Sequence, residues 1–216
     1  MTETTHRAIR LALASLLAVA LVSQLFIGMS RSDLTPVRFF SYFTVLSNTG
    51  AVVMLVMLAA RPGRDESLGF ATFRGAVTVY MSVTFLVYVT ILYPQLADVA
   101  VPEPWIDWSI HVVGPLLIIV DYLVYRPPVH FPGRTVPIWV AFPTVYLVYS
   151  LVRGPMVGWY PYPFLDPESG DGYRSVALWC PVVLTVILGF GYLYYWWTNR
   201  GFPGAPVSSR DDGEEE

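Results

Sequence analysis

Cysteine is almost missing from this 216-residue chain: Cys180 stands alone, so neither an intramolecular disulfide nor a cysteine-based metal site can form. Lysine is missing altogether, and all 13 basic residues are arginine. Charged side chains make up only 13% of the sequence, too few to coat an ordinary water-soluble surface. The chain also lacks a basic cluster, a glycine-rich phosphate loop, a heptad run and an internal repeat. These absences argue against nucleic acid as a partner.

Apolar residues fill the space left by charge: 55% of positions are hydrophobic and the mean hydropathy is +0.52. A helix that crosses a bilayer needs about 20 predominantly apolar residues. Six segments qualify, at residues 8–29, 39–60, 71–93, 106–125, 137–152 and 175–197. Their connectors are short, which predicts an all-α polytopic bundle of six transmembrane helices occupying residues 1–200 as one domain. Residues 201–216 read as a disordered acidic cytoplasmic tail, and the stretch from Asp211 to Glu216 supplies most of the net charge of −3. The first segment follows Arg7 and Arg10 as a signal peptide would. Its apolar run is too long for an h-region and lacks a small-residue cleavage site before Arg31, so it reads as a retained span.

Cytoplasmic loops retain arginine during insertion, and this sets the expected orientation. With the N-terminus inside, Arg7, Arg10, Arg61, Arg64, Arg74, Arg126, Arg134, Arg200 and Arg210 are cytoplasmic, while Arg31, Arg38, Arg153 and Arg174 are not. That nine-to-four split predicts a plasma-membrane protein with both termini in the cytoplasm. The extracytoplasmic loops are acidic instead, with Asp98, Glu103 and Asp107 in one and Asp166, Glu168 and Asp171 in the other.

Residues 154–172 form an unusual connector that includes Trp159, Tyr160, Tyr162 and Phe164. Prolines 155, 161, 163 and 167 preclude a long regular helix, and the rings prefer a semi-apolar setting. Two readings stand side by side: a lid folded back over the bundle, or an interfacial aromatic belt. Pro115, Pro143 and Pro181 fall inside spans, where each removes a backbone bond that something must compensate.

Ionisable and polar residues at membrane depth are the informative positions, because they are expensive there. Of three histidines only His111 lies within a span, roughly 9 Å from its extracytoplasmic start at 1.5 Å per residue. In the second span Ser41, Thr44, Ser47 and Asn48 recur at helical spacing on one face, with Thr44 also roughly 9 Å deep. A threonine hydroxyl becomes a nucleophile only when an adjacent base takes its proton, and histidine is the usual base. Asp107 lies one turn before His111, as the orienting member of a triad would. Asn48 is placed to donate to an oxyanion. Each residue has a structural reading too. Thr44 and Asn48 can bond neighbouring helices, His111 can make an interhelical hydrogen bond, and Asp107 can be a rim carboxylate. Arg153 and Arg174 flank the connector, either to capture a carboxylate head group or merely as topological edge residues. Asp121, near the cytoplasmic end of the fourth span, reads as structural and paired with an arginine such as Arg126.

Three stretches carry a family likeness: Ser41-Tyr42-Phe43-Thr44-Val45-Leu46; Trp105-Ile106-Asp107-Trp108-Ser109-Ile110-His111 followed by Pro115 and Asp121; and Tyr162-Pro163-Phe164-Leu165-Asp166. In order and spacing they resemble the androgen-induced family of six-helix membrane hydrolases, its looser bacterial branch most nearly. Members of that family cleave fatty acid esters of hydroxy fatty acids with an intramembrane threonine and a histidine. The resemblance carries those roles onto Thr44 and His111. It also places Tyr162 and Phe164 in the family's conserved-order segment, with Asp166 where an acid is expected. The residues beside Thr44 and the proline-rich connector depart from the animal members, which leaves the substrate open. The expectation is a lipid-ester hydrolase with Thr44 and His111 catalytic, Asn48, Ser41, Asp107 and Asp166 supporting, and Arg153, Tyr162 and Phe164 contacting substrate. No metal or organic cofactor is implied. The competing expectation is a non-enzymatic transporter or lipid-binding sensor in which His111 titrates.

Overall fold

A computed structural model describes residues 2–32, 34–61, 66–95, 103–169 and 171–200. The expected acidic tail, 201–216, and the loop acid Asp98 lie outside the described residues. Six helices are long and apolar enough to cross a membrane: α1 (Glu3–Arg31), α2 (Phe43–Ala60), α3 (Leu68–Leu92), α4 (Pro104–Val124), α5 (Thr135–Val157) and α6 (Tyr173–Asn199). No strand forms among the described residues. An even number of helices brings the start of α1 and the finish of α6 to one end of the bundle, here called the terminal end.

At the start of α1 a polar cap carries the helix beyond its apolar run. Thr2 accepts the Thr5 N–H at the start of α1, and Arg7 pairs with Glu3 one turn later at 2.6 Å. Two apolar clusters form the core. Leu17, Ala20, Met54, Leu55, Ile110 and Ile118 join α1, α2 and α4 in the first. Tyr80, Tyr122, Trp139, Tyr146, Ile187 and Tyr194 join α3, α4, α5 and α6 in the second. Helix α3 contributes to both and is the most deeply buried of the six. Val19 and Phe26 on α1, Val145 and Val152 on α5, and Leu178 and Val182 on α6 face outward, as lipid-facing positions do.

The second span departs from expectation. Residues 39–42 do not continue α2: a separate turn, Pro36–Phe39, ends at Phe40, and Tyr42 is extended at ψ 129° before α2 begins at Phe43. Apolar content hid this break, since Phe39, Phe40, Tyr42 and Phe43 suit either conformation. Thr44 is therefore the second residue of α2, and Ser41 precedes the helix.

The terminal end holds a dense charge network. Arg74 is 1% exposed; it donates to Glu66 and, at 3.1 Å, to Asp121 Oδ2. Arg10 grips the same Asp121 with two bonds of 2.9 and 3.3 Å. Asp121 is thus paired with Arg10 and Arg74 rather than with Arg126, whose guanidinium turns to the Trp197 carbonyl of α6. The network ties α1, α3 and α4, and removing any one partner would strand a charge.

Pro143 removes the donor that would serve the Trp139 carbonyl, and the Tyr80 hydroxyl replaces it at 2.9 Å. The connector after α5 starts at Gly158, whose φ of +60° suits glycine. Residues 154–157, expected in the loop, complete the helix instead, Pro155 included. Two short 3₁₀ turns, Pro163–Leu165 and Pro167–Ser169, follow. Gly154 leaves room for the Tyr160 ring, which a Cβ would overlap. Tyr162 and Leu165 are buried, so this connector packs into the bundle in the manner of a lid.

Candidate functional site

The first N–H groups of a helix lack internal partners. At the start of α2 the Thr44 N–H finds one in the connector: it donates to the Tyr162 hydroxyl at 3.1 Å, and the Thr44 hydroxyl lies 3.2 Å from the same oxygen. Tyr162 stacks on Phe164 with centroids 5.2 Å apart and planes 6° from parallel. Burial pushes the Tyr162 phenol up to about 12, so at neutral pH it keeps its proton and can share it with Thr44.

The polar residues clustered at this end of α2 each reach a different element. The Ser41 hydroxyl bonds the Tyr149 hydroxyl of α5 at 2.8 Å, and Tyr146 of α5 donates to the Ser41 carbonyl at 3.0 Å. The Ser47 hydroxyl meets Thr84 of α3 at 3.1 Å. The Asn48 amide donates to the Thr44 carbonyl at 2.8 Å and to the Ile110 carbonyl of α4 at 3.0 Å. Thr44 itself reaches the connector.

Thr44 also lines a cavity of about 290 Å³. Its wall is built from α2, α3, α5, α6 and the connector, with Val83, Leu147, Phe164, Leu165 and Ile187 among the apolar residues, and Thr44 and Tyr162 among the few polar ones. That volume is at the low end for a small-molecule pocket. Pro143 and Pro181 face it from α5 and α6.

His111 belongs to a second cluster at the same end. Its Nδ1 lies 2.8 Å from Asp107 Oδ1 and 3.1 Å from the Asp107 carbonyl. Both partners are acceptors when the carboxylate is ionised, so Nδ1 carries the proton and Nε2 is left as the basic nitrogen. Tyr88 donates its hydroxyl to the other carboxylate oxygen of Asp107 and stacks on the imidazole, centroids 4.3 Å apart and planes 7° from parallel. Asp107 is therefore an orienting partner in a half-buried setting, 16% exposed, rather than a solvated rim acid.

Thr44 and His111 occupy the same end of the bundle, but each is hydrogen-bonded elsewhere. The Thr44 hydroxyl is bonded to Tyr162, and α4 contributes no residue to the cavity wall. Asn48 is the link, binding the carbonyls of Thr44 and of Ile110, the residue before His111. Two expected residues, Asp166 and Arg153, sit apart. Asp166 accepts the Glu168 N–H at 2.9 Å and the Ser169 hydroxyl at 3.0 Å, which caps its own turn. Arg153 lies 5.5 Å from the Trp159 ring centroid, at the edge of the connector. Phe164 instead joins the site, lining the cavity with Thr44 and stacking on Tyr162.

Tyr88 went unnoticed in the sequence, yet a signal exists. A wide π turn, Tyr88–Leu92, is closed by the Tyr93 N–H on the Tyr88 carbonyl, and Pro94 follows. The π turn Ser109–Val113 is closed by the Gly114 N–H on the Ser109 carbonyl, and Pro115 follows. In both places a proline six residues after the first π residue offers no N–H, and the preceding N–H reaches one carbonyl further back.

No protein-family model matches this chain, and neither a curated protein nor a solved structure matches it.

Proposed function

We propose that the protein is a membrane lipid-ester hydrolase in which Thr44 is the nucleophile and His111 the base. The observation that carries this reading is a threonine hydroxyl at the N-terminus of a helix, in the wall of an apolar cavity of about 290 Å³. A helix N-terminus favours the negative charge that develops when an ester carbonyl is attacked. At the same end, an imidazole with Nδ1 held by Asp107 presents its basic Nε2. In the attack the Thr44 oxygen bonds the carbonyl carbon and its proton passes to Nε2. The imidazolium then protonates the departing alkoxide, leaving acyl-threonine. Water hydrolyses that ester, giving its proton to Nε2, and the proton returns to Thr44 as the acid leaves. Asn48 holds the nucleophile's helix against α4. Arg153 and the stacked pair Tyr162 and Phe164 border the substrate.

The chemistry requires a second state. Tyr162 must release Thr44, and the freed hydroxyl must turn toward α4. With the N-terminus inside, the reaction takes place near the extracytoplasmic face of the plasma membrane. Fatty acid esters of hydroxy fatty acids, or acyl esters like them, are the substrate class that the family likeness points to.

Fluorophosphonate labelling of the purified protein, with the labelled residue identified by mass spectrometry, tests the proposal. Labelling at Thr44, with loss of ester turnover in folded Thr44→Ala and His111→Ala, is the expected result. Full turnover in folded Thr44→Ala refutes it. A second reading, an acyl-chain-binding sensor without turnover, is favoured by one observation: Tyr162 rather than His111 holds the Thr44 hydroxyl. Saturable fatty-acid binding with no labelling would establish that reading instead.

A further inference from the structure

Two π turns in one small protein call for an explanation, since such turns are rare and tend to occur where a side chain has to be aimed. The two here lie on adjacent helices at one level. The first begins at Tyr88 and the second contains His111, and these rings stack face to face. A π turn inserts one extra residue, so it shifts every later side chain by about 100° relative to a continuous α-helix. Tyr88 opens its turn and so keeps the direction set by the body of α3, whereas the turn before Pro115 sets the register between His111 and the rest of α4.

Tyr88 does more than fill space. It is 2% exposed, and its hydroxyl donates to the Asp107 oxygen that His111 does not use. A carboxylate held at one oxygen alone can turn about its own bonds and slacken the imidazole. Held at both, it is fixed in plane, and the imidazole is clamped at Nδ1 by Asp107 and across its face by the phenol ring. Tyr93 packs beside Tyr88 at 5.7 Å and touches neither Asp107 nor His111 through a hydrogen bond.

We infer that Tyr88 is a positioning residue for His111, locking the Asp107 carboxylate and bracing the imidazole so that Nε2 keeps one direction. This role rests on the hydrolase reading only for its catalytic consequence, since the clamp itself is independent of turnover.

The experiment uses full-length protein in detergent micelles, labelled with ¹⁵N at histidine. The His111 Nδ1–H proton is identified by its loss in His111→Asn, and its exchange with water is measured. Tyr88→Phe keeps the stacked ring and removes one bond to the carboxylate, so exchange accelerates about tenfold. Asp107→Asn, which keeps the ring and weakens the clamp from the other side, accelerates it as well. Tyr93→Phe leaves it within twofold. Exchange in Tyr88→Phe within twofold of wild type overturns the inference. Ester turnover measured on the same samples separates the two claims. A fall in kcat of about tenfold with KM little changed supports both. Wild-type protein without turnover, but with accelerated exchange in Tyr88→Phe, leaves the clamp standing and removes the hydrolase.

Discussion

Asn48→Leu offers the sharpest test of how the site is held together. Asn48 is fully buried, at 0% exposure, and its amide spans the carbonyls of Thr44 and Ile110. The Ile110 carbonyl needs that donor for a reason that starts with Pro115. In a continuous α-helix the Gly114 N–H would serve Ile110; here it goes to Ser109 instead, and Pro115 has no N–H to substitute. Leucine keeps asparagine's branched skeleton of four side-chain heavy atoms but is the larger side chain, so some overpacking adds to the cost. The substitution strands the Ile110 carbonyl, yet it also deletes the Asn48 Oδ1, a buried oxygen with no partner among the described residues. These two desolvation terms are of the same kind and largely cancel. The Thr44 carbonyl keeps the Ser47 hydroxyl at 3.1 Å. Besides that overpacking, what remains is the loss of two hydrogen bonds, each worth about 0.6 kcal/mol on average in membrane proteins.

A destabilisation of about 1–2 kcal/mol follows, read by equilibrium unfolding in mixed micelles. In a Pro115→Ala background the new N–H has a helix carbonyl to serve, and the cost of Asn48→Leu falls by about half. A loss below about 0.3 kcal/mol, or above about 3 kcal/mol, refutes this account of the amide as a two-carbonyl bridge. An unchanged cost in the Pro115→Ala background refutes the assignment of the orphaned carbonyl to the π turn.

Two other substitutions probe the remaining parts. Tyr162→Phe keeps the stack on Phe164 and removes both bonds to Thr44; stability falls by about 1 kcal/mol, while fluorophosphonate labelling at Thr44 becomes faster, and labelling no faster than wild type shows that Tyr162 does not restrain the nucleophile. Arg74→Leu leaves Glu66 and Asp121 facing a buried gap at the terminal end and costs about 3–5 kcal/mol, more than Arg10→Leu, whose side chain is 15% exposed; equal unfolding midpoints for the two variants would contradict the ordering.

The spans were legible because lipid imposes a simple rule on sequence, and each apolar run recurs as a helix within a few residues of its expected ends. Capping groups such as Thr2 shifted the ends. The start of α2 was illegible: aromatic residues 39–43 satisfy lipid in any backbone conformation, and what breaks the helix is a set of partners on α5 and the connector. Polarity at depth singled out Thr44, Asn48 and His111, and chain spacing singled out Asp107 with His111. Spacing could not reveal that Thr44 faces Tyr162 while His111 faces Tyr88, because side-chain direction across helices depends on how α3 is rotated. His111 itself sits in a π turn of α4, whose mark in the sequence is Pro115, six residues after Ser109.

Polar groups within a bilayer have no water to fall back on, so each must be assigned a protein partner. At this end of α2 the partners differ in how firmly they are held. Ser41 is tied to α5, Ser47 to α3 and Asn48 to α4, each to a packed helix. Thr44 alone is tied to a connector, one bounded by glycines at positive φ, Gly158 at +60° and Gly172 at +66°. Moving a connector costs less than separating helices. Of the four positions, Thr44 is therefore the one that can exchange its partner for a ligand while the bundle stays assembled, and its hydroxyl is the one that already lines a cavity able to receive it.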